Sequence, residues 1–257
     1  MALDVNADLA EGSSEGANQI ALADFTELLG AVTSVNVACG FHGGDPSLMR
    51  AAVRAARSRN VAVGAHPSYP DKRGFGRVPM ALPLETVVDD VTYQVGALAA
   101  IAHSEGVRLQ HVRPHGALYN ALSSDPALAV AVAAALREQD PALRLVLRAG
   151  SPSLGALTAS GYAALAEGFS DRAYLKEGTL APRRRTGSVI TDPSAVSAQA
   201  LAIAEGAPVS TLDGGSIVLK VDTLHVNTSP PATLPAALVV KGSLRAAGTT
   251  VRAPGGA

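Results

Sequence analysis

The chain has 257 residues, of which 47 % are hydrophobic and 17 % charged, and its formal net charge is −1. This composition is typical of a folded protein, and it argues against a nucleic-acid-binding or anionic-membrane surface, which is usually strongly basic. The single cysteine excludes an intrachain disulfide and favours a reducing compartment. The N-terminus lacks a signal-peptide pattern and no apolar run is long enough to span a bilayer, so we predict a cytoplasmic protein.

Short apolar runs alternate along the chain with segments of helical periodicity. The predicted strands lie at residues 2–9, 34–39, 61–66, 109–115, 143–150, 162–169, 188–192, 216–226 and 249–254. Predicted helices begin at the Asp-Pro pairs 45–46, 125–126 and 192–193, where aspartate caps and proline fits the first turn; others lie at 84–105 and 233–247. Apolar strands that lack clean alternation, with helices between them, indicate a parallel sheet covered by helices.

The number of these units predicts the architecture. About eight strand–helix units in ~250 residues is the size of a (β/α) barrel. An open doubly wound sheet is the alternative. The sequence contains no internal repeat and no obvious linker, so we predict one α/β domain over residues 1–257, folded as a barrel of seven to eight strands.

Polar residues gather where the predicted strands end. They are Asn6, Asp8, Glu11, His42, Asp45, His66, His111, His115, Glu167, Asp171 and Arg172. A single histidine at a strand end is more often a hydrogen-bonded cap than a functional residue. In a barrel, however, the carboxyl ends of all strands open on one face, so these residues are expected to converge on a shared site.

Two kinds of chemistry suit this set. Carboxylates and imidazoles at separate strand ends can hold a divalent metal that activates water, or they can transfer protons directly as general acid and base. No HExxH or paired CxxC motif is present, so the sequence permits a metal without requiring one. Cys39 is a candidate nucleophile, although a packed, unreactive thiol is the favoured interpretation.

Two glycine-bearing loops are candidate anion sites. CGFHGGDP leads into a predicted helix N-terminus, where Gly43 and Gly44 would let backbone N–H groups approach an anion, and a helix cap explains Asp45. In DKRGFGRVPM, Arg77 is a candidate partner for an oxyanion or carboxylate, the alternative being a solvated loop. The basic run at 183–185 is interpreted mainly as a solvated loop.

Five segments together resemble the LamB/YcsF family. They are NADLAEG, SVNVACGFHGGDPSLM, VGAHPSYPDKRGFGR, HVRPHGALYNAL and EGFSDRAYLKEGTLAPR, in this order. The resemblance implies a distorted (β/α) barrel similar to the glycoside hydrolase/deacetylase barrels. It also implies cleavage of 5-oxo-L-proline to L-glutamate coupled to ATP hydrolysis, as the A subunit of a 5-oxoprolinase that has further subunits B and C. ATP is then a co-substrate, and a divalent metal either accompanies it as Mg²⁺ or is bound in the site. The sequence is also compatible with a homo-oligomer.

The reaction that the resemblance implies needs a base, an acid and an anion site. A lactam is an unactivated amide, and phosphorylation of its carbonyl oxygen would make it an electrophile for water. Asp8 or Glu11 is the expected base. Alternatively, Asp8 or Glu11 is part of a metal site with His42, His66 and His115, and Asp8 is the carboxylate favoured for it. Catalysis is expected to depend on these five residues. Residues expected to bind or orient substrate and anions are Asn6, Gly43, Gly44, Arg77, Asp171 and Arg172.

The chain departs from the family pattern in two places. Ala7 and Ala10 stand where the first motif usually has Cys and Gly, and residues 225–229 (HVNTS) replace a Cys-Val-His-Gly-Asp segment. A different substrate is therefore possible, with His225 as a candidate substitute for the missing histidine. Two more functions stay compatible with the sequence: a metal-dependent deacetylase or amidohydrolase, and a non-catalytic partner of catalytic subunits. The sequence contains no familiar nucleotide motif, so it does not indicate which subunit binds ATP.

Overall fold

A computed structural model describes residues 2–12, 22–227 and 234–254. The strands are β1 (Ala2–Leu9), β2 (Ser34–Ala38), β3 (Ala62–His66), β4 (His111–Val112), β5 (Arg144–Arg148), β6 (Ala164–Phe169), β7 (Val209–Ser210), β8 (Ser216–Ile217), β9 (Thr223–His225) and β10 (Thr250–Val251). The helices are α1 (Leu22–Ala31), α2 (Pro46–Ser58), α3 (Leu84–Ser104), α4 (Gly116–Ser124), α5 (Pro126–Gln139), α6 (Pro152–Ala159), α7 (Pro193–Glu205) and α8 (Leu234–Ala246).

Seven parallel strands close into a barrel in the order β1-β2-β3-β4-β5-β6-β9. Closure depends on β9, which pairs in parallel with β6 on one side and with β1 on the other. β10 adds a short parallel pairing at the start of β1, and β7 and β8 form a separate antiparallel pair. The predicted (β/α) barrel of seven to eight strands is confirmed, and an open doubly wound sheet is excluded because β1 and β9 are paired.

Two predicted strands are wrong. Residues 188–192 contribute only an isolated bridge between Val189 and Arg172, and the last of them, Asp192, caps α7. Residues 216–226 divide into β8 and β9, since the chain turns between them and Asp222 bonds to Ala166 across the turn. The apolar run is continuous in sequence, but its two halves belong to different sheets.

Helix capping follows the sequence closely. The side chain of Asp45 accepts a hydrogen bond from the N–H of Leu48, and Asp125 and Asp192 cap α5 and α7 in the same way. Each cap is followed by proline, which fits the first helical turn. The predicted helix at 233–247 is present as α8, although Thr233 lies outside the described residues. Helices α1, α4 and α6 are additional to those predicted.

Polar side chains fill much of the barrel interior. Alternate residues of β1 point inward, and Asp4 accepts hydrogen bonds from Thr33, Ser34 and Thr223. The intervening residues, Val5, Ala7 and Leu9, are buried among the hydrophobic residues that surround the barrel. Barrels of this class are commonly filled by branched aliphatic side chains. Polar side chains in the interior of this barrel therefore indicate a functional site at the carboxyl ends of its strands. In the part of the chain that the structure describes, no helix is both long enough and apolar enough to span a membrane.

We expect Gly64→Ala to destabilise the protein by about 1–3 kcal/mol, the usual cost of overpacking a core. A Cβ at this position in β3 would collide with the imidazole ring of His111, which is buried in the barrel. Urea unfolding measures the effect. Gly155→Ala in α6 is the matched control, because a Cβ there meets no atom within 4 Å and alanine favours helices. Equal stabilities of the two variants would contradict the prediction.

Candidate active site

Three imidazoles and one carboxylate meet at the carboxyl ends of the first four barrel strands. Glu11, His42, His66 and His115 each offer one ligand atom, and these four atoms lie within 4.8 Å of one another. We call this group the imidazole cluster. The structure thus brings together the three histidines that were expected to share a site. The carboxylate beside them is Glu11, one of the two carboxylates that the sequence offers for a metal site, and not Asp8, the one favoured there.

Each member of the imidazole cluster is placed by a different element. Glu11 follows β1, His42 lies in the loop after β2, His66 is the last residue of β3, and His115 is the N-cap residue of α4. The rings of His42 and His115 are stacked, with centroids 3.9 Å apart, and His66 meets both of them edge-on. All three histidines are buried.

Hydrogen bonds to backbone carbonyls set the orientation of two of the rings. His66 Nδ1 lies 2.5 Å from the carbonyl oxygen of Arg113, and His115 Nε2 lies 2.8 Å from that of Phe75. A ring nitrogen beside a carbonyl must carry the proton to donate. In the neutral tautomer His66 Nε2 and His115 Nδ1, which are 3.0 Å apart, are then left without protons. This arrangement is typical of histidines that bind a metal.

Glu11 lies close to all three histidines of the imidazole cluster. Its Oε1 atom is 3.1 Å from His115 Nδ1, 3.4 Å from His42 Nε2 and 3.7 Å from His66 Nε2. Burial would raise the pKa of this carboxyl, but the three imidazoles hold it well below its usual value. Glu11 Oε1 and both ring nitrogens of His42 are nevertheless buried without a hydrogen bond of good geometry. Buried polar atoms of this kind call for a further partner.

The ionisation of the histidines differs across the cluster. Burial lowers the pKa of His42 to about 4, and it lowers that of His115 as well. Burial also opposes a charge on His66, but Asp8 and Glu11 outweigh it and raise the pKa of His66 to about 9. A proton therefore occupies the cluster at neutral pH when no other cation is bound, and a metal ion would displace it.

Asp8 belongs to an ion-pair network beside the imidazole cluster. Arg113 Nη1 is 2.9 Å from Asp8 Oδ1, and Arg113 Nε is 2.7 Å from Glu167 Oε1. Burial would raise the pKa of both carboxyls, but Arg113 outweighs it and lowers both. Asp8 also lies 3.4 Å from His66 Nε2, so it shares one histidine with the cluster. Asp8 therefore lies beside the possible metal ligands, and Glu11 lies among them.

A second layer of polar groups supports this network from inside the barrel. Asn6 donates hydrogen bonds to Glu167 and Thr223, and its carbonyl oxygen accepts one from Asn36. His225 Nδ1 is 2.9 Å from the same Asn6 oxygen. The side chain of Asn6 is thus buried and hydrogen-bonded to other residues of the barrel interior. It does not face the open end of the barrel, where a substrate would bind.

Several members of this network have no role among the predictions from sequence. Glu167 is expected there only as a strand-end residue, and Arg113 and Asn36 are given no role. The alternation of Asp4, Asn6 and Asp8 along β1 is the signal that could have identified the interior, since alternate residues of a strand share one face. No local pattern distinguishes Arg113 from an exposed arginine.

Asp171 and Arg172 lie after β6 at the same end of the barrel. The guanidinium of Arg172 donates to the carbonyls of Ser188 and Ala181, so it holds the loop that follows β6. The carboxylate of Asp171 is buried, and burial raises its pKa to about 6 even though Arg172 and Arg183 oppose this. Arg77 is exposed and stacks on Phe75, whose ring also packs edge-on against His42 and His115.

The glycine loop after β2 makes close contacts with the backbone that follows β1. The N–H of Gly44 donates to the carbonyl of Gly12, so it is not available to an anion. Gly43 permits contact with the backbone of Glu11, where a Cβ would collide. Gly44 has φ +82°, a conformation that favours glycine. Ala10 has φ 63°, which suits the glycine that the family's first motif carries at this position.

The buried histidines predict that acid destabilises the protein. Burial is the main cause that lowers the pKa of His111 and of His225 from 6.5 to about 4. Between these values the unfolded chain binds protons that the folded chain does not, so the free energy of unfolding falls as pH decreases. The raised pKa of Asp171 opposes this below about pH 6. Denaturant unfolding across this range measures the slope, which is expected to be shallower in His111→Gln; an unchanged slope would count against the assignment.

The chain is similar to known proteins along nearly its whole length. Residues 3–256 match the sequence profile of the LamB/YcsF family. The chain belongs to the LamB/YcsF family. The A subunit of 5-oxoprolinase from Methylococcus capsulatus is 47 % identical over 254 residues, covering 99 % of this chain and 96 % of the relative.

Two solved structures share the fold of this chain. The crystal structure of the lactam utilization protein from Thermus thermophilus superposes with a TM-score of 0.90 at 43 % identity, covering 99 % of this chain and 100 % of that one. A GH20 catalytic module of the pneumococcal exo-β-D-N-acetylglucosaminidase StrH has a TM-score of 0.54 at 9 % identity, covering 95 % and 84 % of the two chains. The second likeness concerns the fold alone and confirms a barrel of the glycoside hydrolase kind.

Proposed function

We propose that this LamB/YcsF chain is the A subunit of an ATP-dependent 5-oxoprolinase, which opens the lactam of 5-oxo-L-proline to give L-glutamate. The observation that carries the proposal is the 47 % identity to the A subunit of a 5-oxoprolinase along nearly the whole length of both chains. The site is consistent with the reaction, because hydrolysis of an amide needs a base for water, an acid for nitrogen and stabilisation of an oxyanion.

Residues of the site have distinct parts in this proposal. Glu11 and Asp8, both ionised at neutral pH because their pKa values are lowered, are the candidate bases for water. Asp171, with its pKa of about 6, is the candidate acid for the lactam nitrogen. Arg77 is the candidate partner of the substrate carboxylate or of a phosphoryl group, because it is exposed beside Phe75 at the edge of the imidazole cluster.

The imidazole cluster also fits a divalent metal. Three imidazole nitrogens with one carboxylate oxygen are donors that suit Zn²⁺ and related transition ions, and the orphaned atoms of His42 and Glu11 gain a partner if one binds. Such an ion supplies Lewis acidity and lowers the pKa of bound water. Its ligands would be Glu11, His42, His66 and His115, while Asp8, held by Arg113, stays available as a base.

The proposal extends to partners and co-substrate. A protein named as the A subunit implies others, and we propose that subunits B and C complete the enzyme. Phosphorylation of the lactam oxygen by ATP, with Mg²⁺ accompanying the nucleotide, would create the electrophile that water attacks. Because this reaction consumes ATP, the cytoplasm is the compartment that we predict.

Reconstitution tests the proposal. The chain, mixed with subunits B and C, is expected to release glutamate from 5-oxoproline only when ATP is present. The second candidate, favoured by the composition of the imidazole cluster, is a metal-dependent amidohydrolase or deacetylase. It would be supported if the isolated chain hydrolysed 5-oxoproline or an acetylated substrate and if Zn²⁺ or Mn²⁺ restored this activity after chelation. Full activity after simultaneous replacement of Glu11, His42, His66 and His115 would indicate a non-catalytic subunit. Elemental analysis of the purified chain measures the metal independently of activity.

A further inference from the structure

A basic cavity lies at the end of the barrel opposite the imidazole cluster. It has a volume of about 590 Å³ and is lined by Thr33 before β2, Ala62 at the start of β3 and Gln110 before β4. These positions precede the strands, whereas the residues of the cluster lie at or beyond the strand ends. The cationic residues that line the cavity are Arg57, Arg59, Arg108, Lys241, Arg245 and Arg252. None of the described lining residues carries a carboxylate.

Four of these six cations form no ion pair with a carboxylate of the described residues. Arg108 forms a two-point pair with Asp140. By contrast, Arg57 donates to the carbonyl of Glu105, and Lys241 donates to two carbonyls at the end of α1. Arg59 and Arg245 are exposed. Within the described ranges of the chain, none of these last four side chains forms an ion pair with a carboxylate.

Helix ends explain only part of this clustering. Arg57 and Arg245 stand in the last turns of α2 and α8, where a cation interacts favourably with the helix dipole. Arg59 lies beyond α2, and Lys241 is brought to the cavity by its bonds to the end of α1. Burial and then Arg245 lower the pKa of Lys241, so like charges are held close enough to repel. A bound anion would offset this repulsion.

The rest of the lining indicates the size and chemistry of the ligand. Val61, Val63, Val107 and Val251 supply apolar surface beside the cations. Gln110 contributes a side-chain oxygen that is buried without a hydrogen-bond partner in the described structure, and this oxygen can accept from an amine or a hydroxyl. Cavities of roughly 300–1,000 Å³ that combine apolar walls with a few polar groups are typical of small-ligand sites.

We propose that this cavity binds a phosphorylated small molecule of nucleoside diphosphate size. Its phosphates lie against Arg57, Arg59, Lys241 and Arg245, and its apolar part lies on the valine surface with an amine or hydroxyl donating to Gln110. The site is separate from the imidazole cluster and is independent of the reaction proposed there.

Calorimetric titration of the full chain with ADP and with inorganic pyrophosphate tests the proposal. The double variant Arg59→Gln, Arg245→Gln is expected to bind both roughly tenfold or more weakly, since charge-assisted hydrogen bonds are lost. The matched control is Lys176→Gln, Lys220→Gln, which removes two exposed charges outside the cavity lining and is expected to bind both probes as the unmodified chain does. Unchanged thermal midpoints show that the variants are folded.

Gln110→Leu tests the contact with the nucleoside part of the ligand separately from the contacts with its phosphates. It is expected to weaken ADP binding and to leave pyrophosphate binding unchanged, because only the nucleoside can donate to the glutamine oxygen. The proposal is overturned if neither probe binds at millimolar concentration, if the lysine control loses as much affinity as the arginine variant, or if Gln110→Leu leaves ADP binding intact.

Discussion

Replacement of His66 by alanine is expected to lower turnover of 5-oxoproline by roughly 10²–10⁴-fold, the usual contribution of a positioned acid–base group. His66 is fully buried, donates to the carbonyl of Arg113, and is the one histidine within ion-pair distance of both Asp8 and Glu11 among the described residues. Its loss disturbs both carboxylates together. Glutamate release with subunits B and C and ATP measures the effect, and elemental analysis measures any metal lost.

His103→Ala is the matched control for this variant. His103 is exposed in the last turn of α3 and takes no part in the imidazole cluster, so activity and metal content are expected to stay at the level of the unmodified chain. Comparable turnover by the His66 and His103 variants would remove the cluster from the mechanism. A loss of metal without a loss of turnover would assign the ion a structural role.

Arg113→Met is expected to reduce the free energy of unfolding by about 3–5 kcal/mol, the cost of leaving buried charges without their partner. Arg113 bridges Asp8 and Glu167 and stacks between Tyr119 and Phe169. Methionine has a similar length and keeps apolar contacts, but it leaves two carboxylates together without a cation. Their pKa values are then expected to rise, so the loss grows at higher pH. Guanidinium unfolding measures it.

Two further variants separate the buried charge from arginine in general. Arg113→Met combined with Glu167→Gln is expected to recover part of the lost stability, because one uncompensated carboxylate is removed. Arg108→Gln breaks a two-point pair with Asp140 at a side chain that is 70 % exposed, and little change in the unfolding midpoint is expected there. If Arg108→Gln and Arg113→Met destabilise equally, burial does not account for the importance of Arg113.

The ion-pair network and the imidazole cluster act together in the proposed reaction. Arg113 keeps Asp8 ionised, and its carbonyl holds His66 in the tautomer that turns Nε2 toward Glu11. One residue thus connects the network to the cluster through its side chain and its backbone. Loss of activity in Arg113→Met beyond its loss of stability would be consistent with this double role.

The sequence by itself determined the barrel and most of the residues that converge at the carboxyl ends of its strands. Strand–helix alternation and apolar strands predicted parallel strands, and the Asp-Pro pairs predicted where three helices begin. His42, His66 and His115 were identifiable because residues that follow parallel strands must open on one face of a barrel. These conclusions depend on patterns within a few residues of each other, which local backbone geometry dictates.

The tertiary structure decided which carboxylate meets the histidines. Glu11 and Asp8 are three residues apart, and their separation into the imidazole cluster and the ion-pair network depends on Arg113, which is more than 100 residues away in sequence. Closure by seven strands likewise depends on β9 pairing with both β1 and β6. The bond between Gly44 and Gly12, which removes an anion-binding N–H, joins two separate loops. Such contacts arise from strand register and loop packing, which no local stretch of sequence encodes.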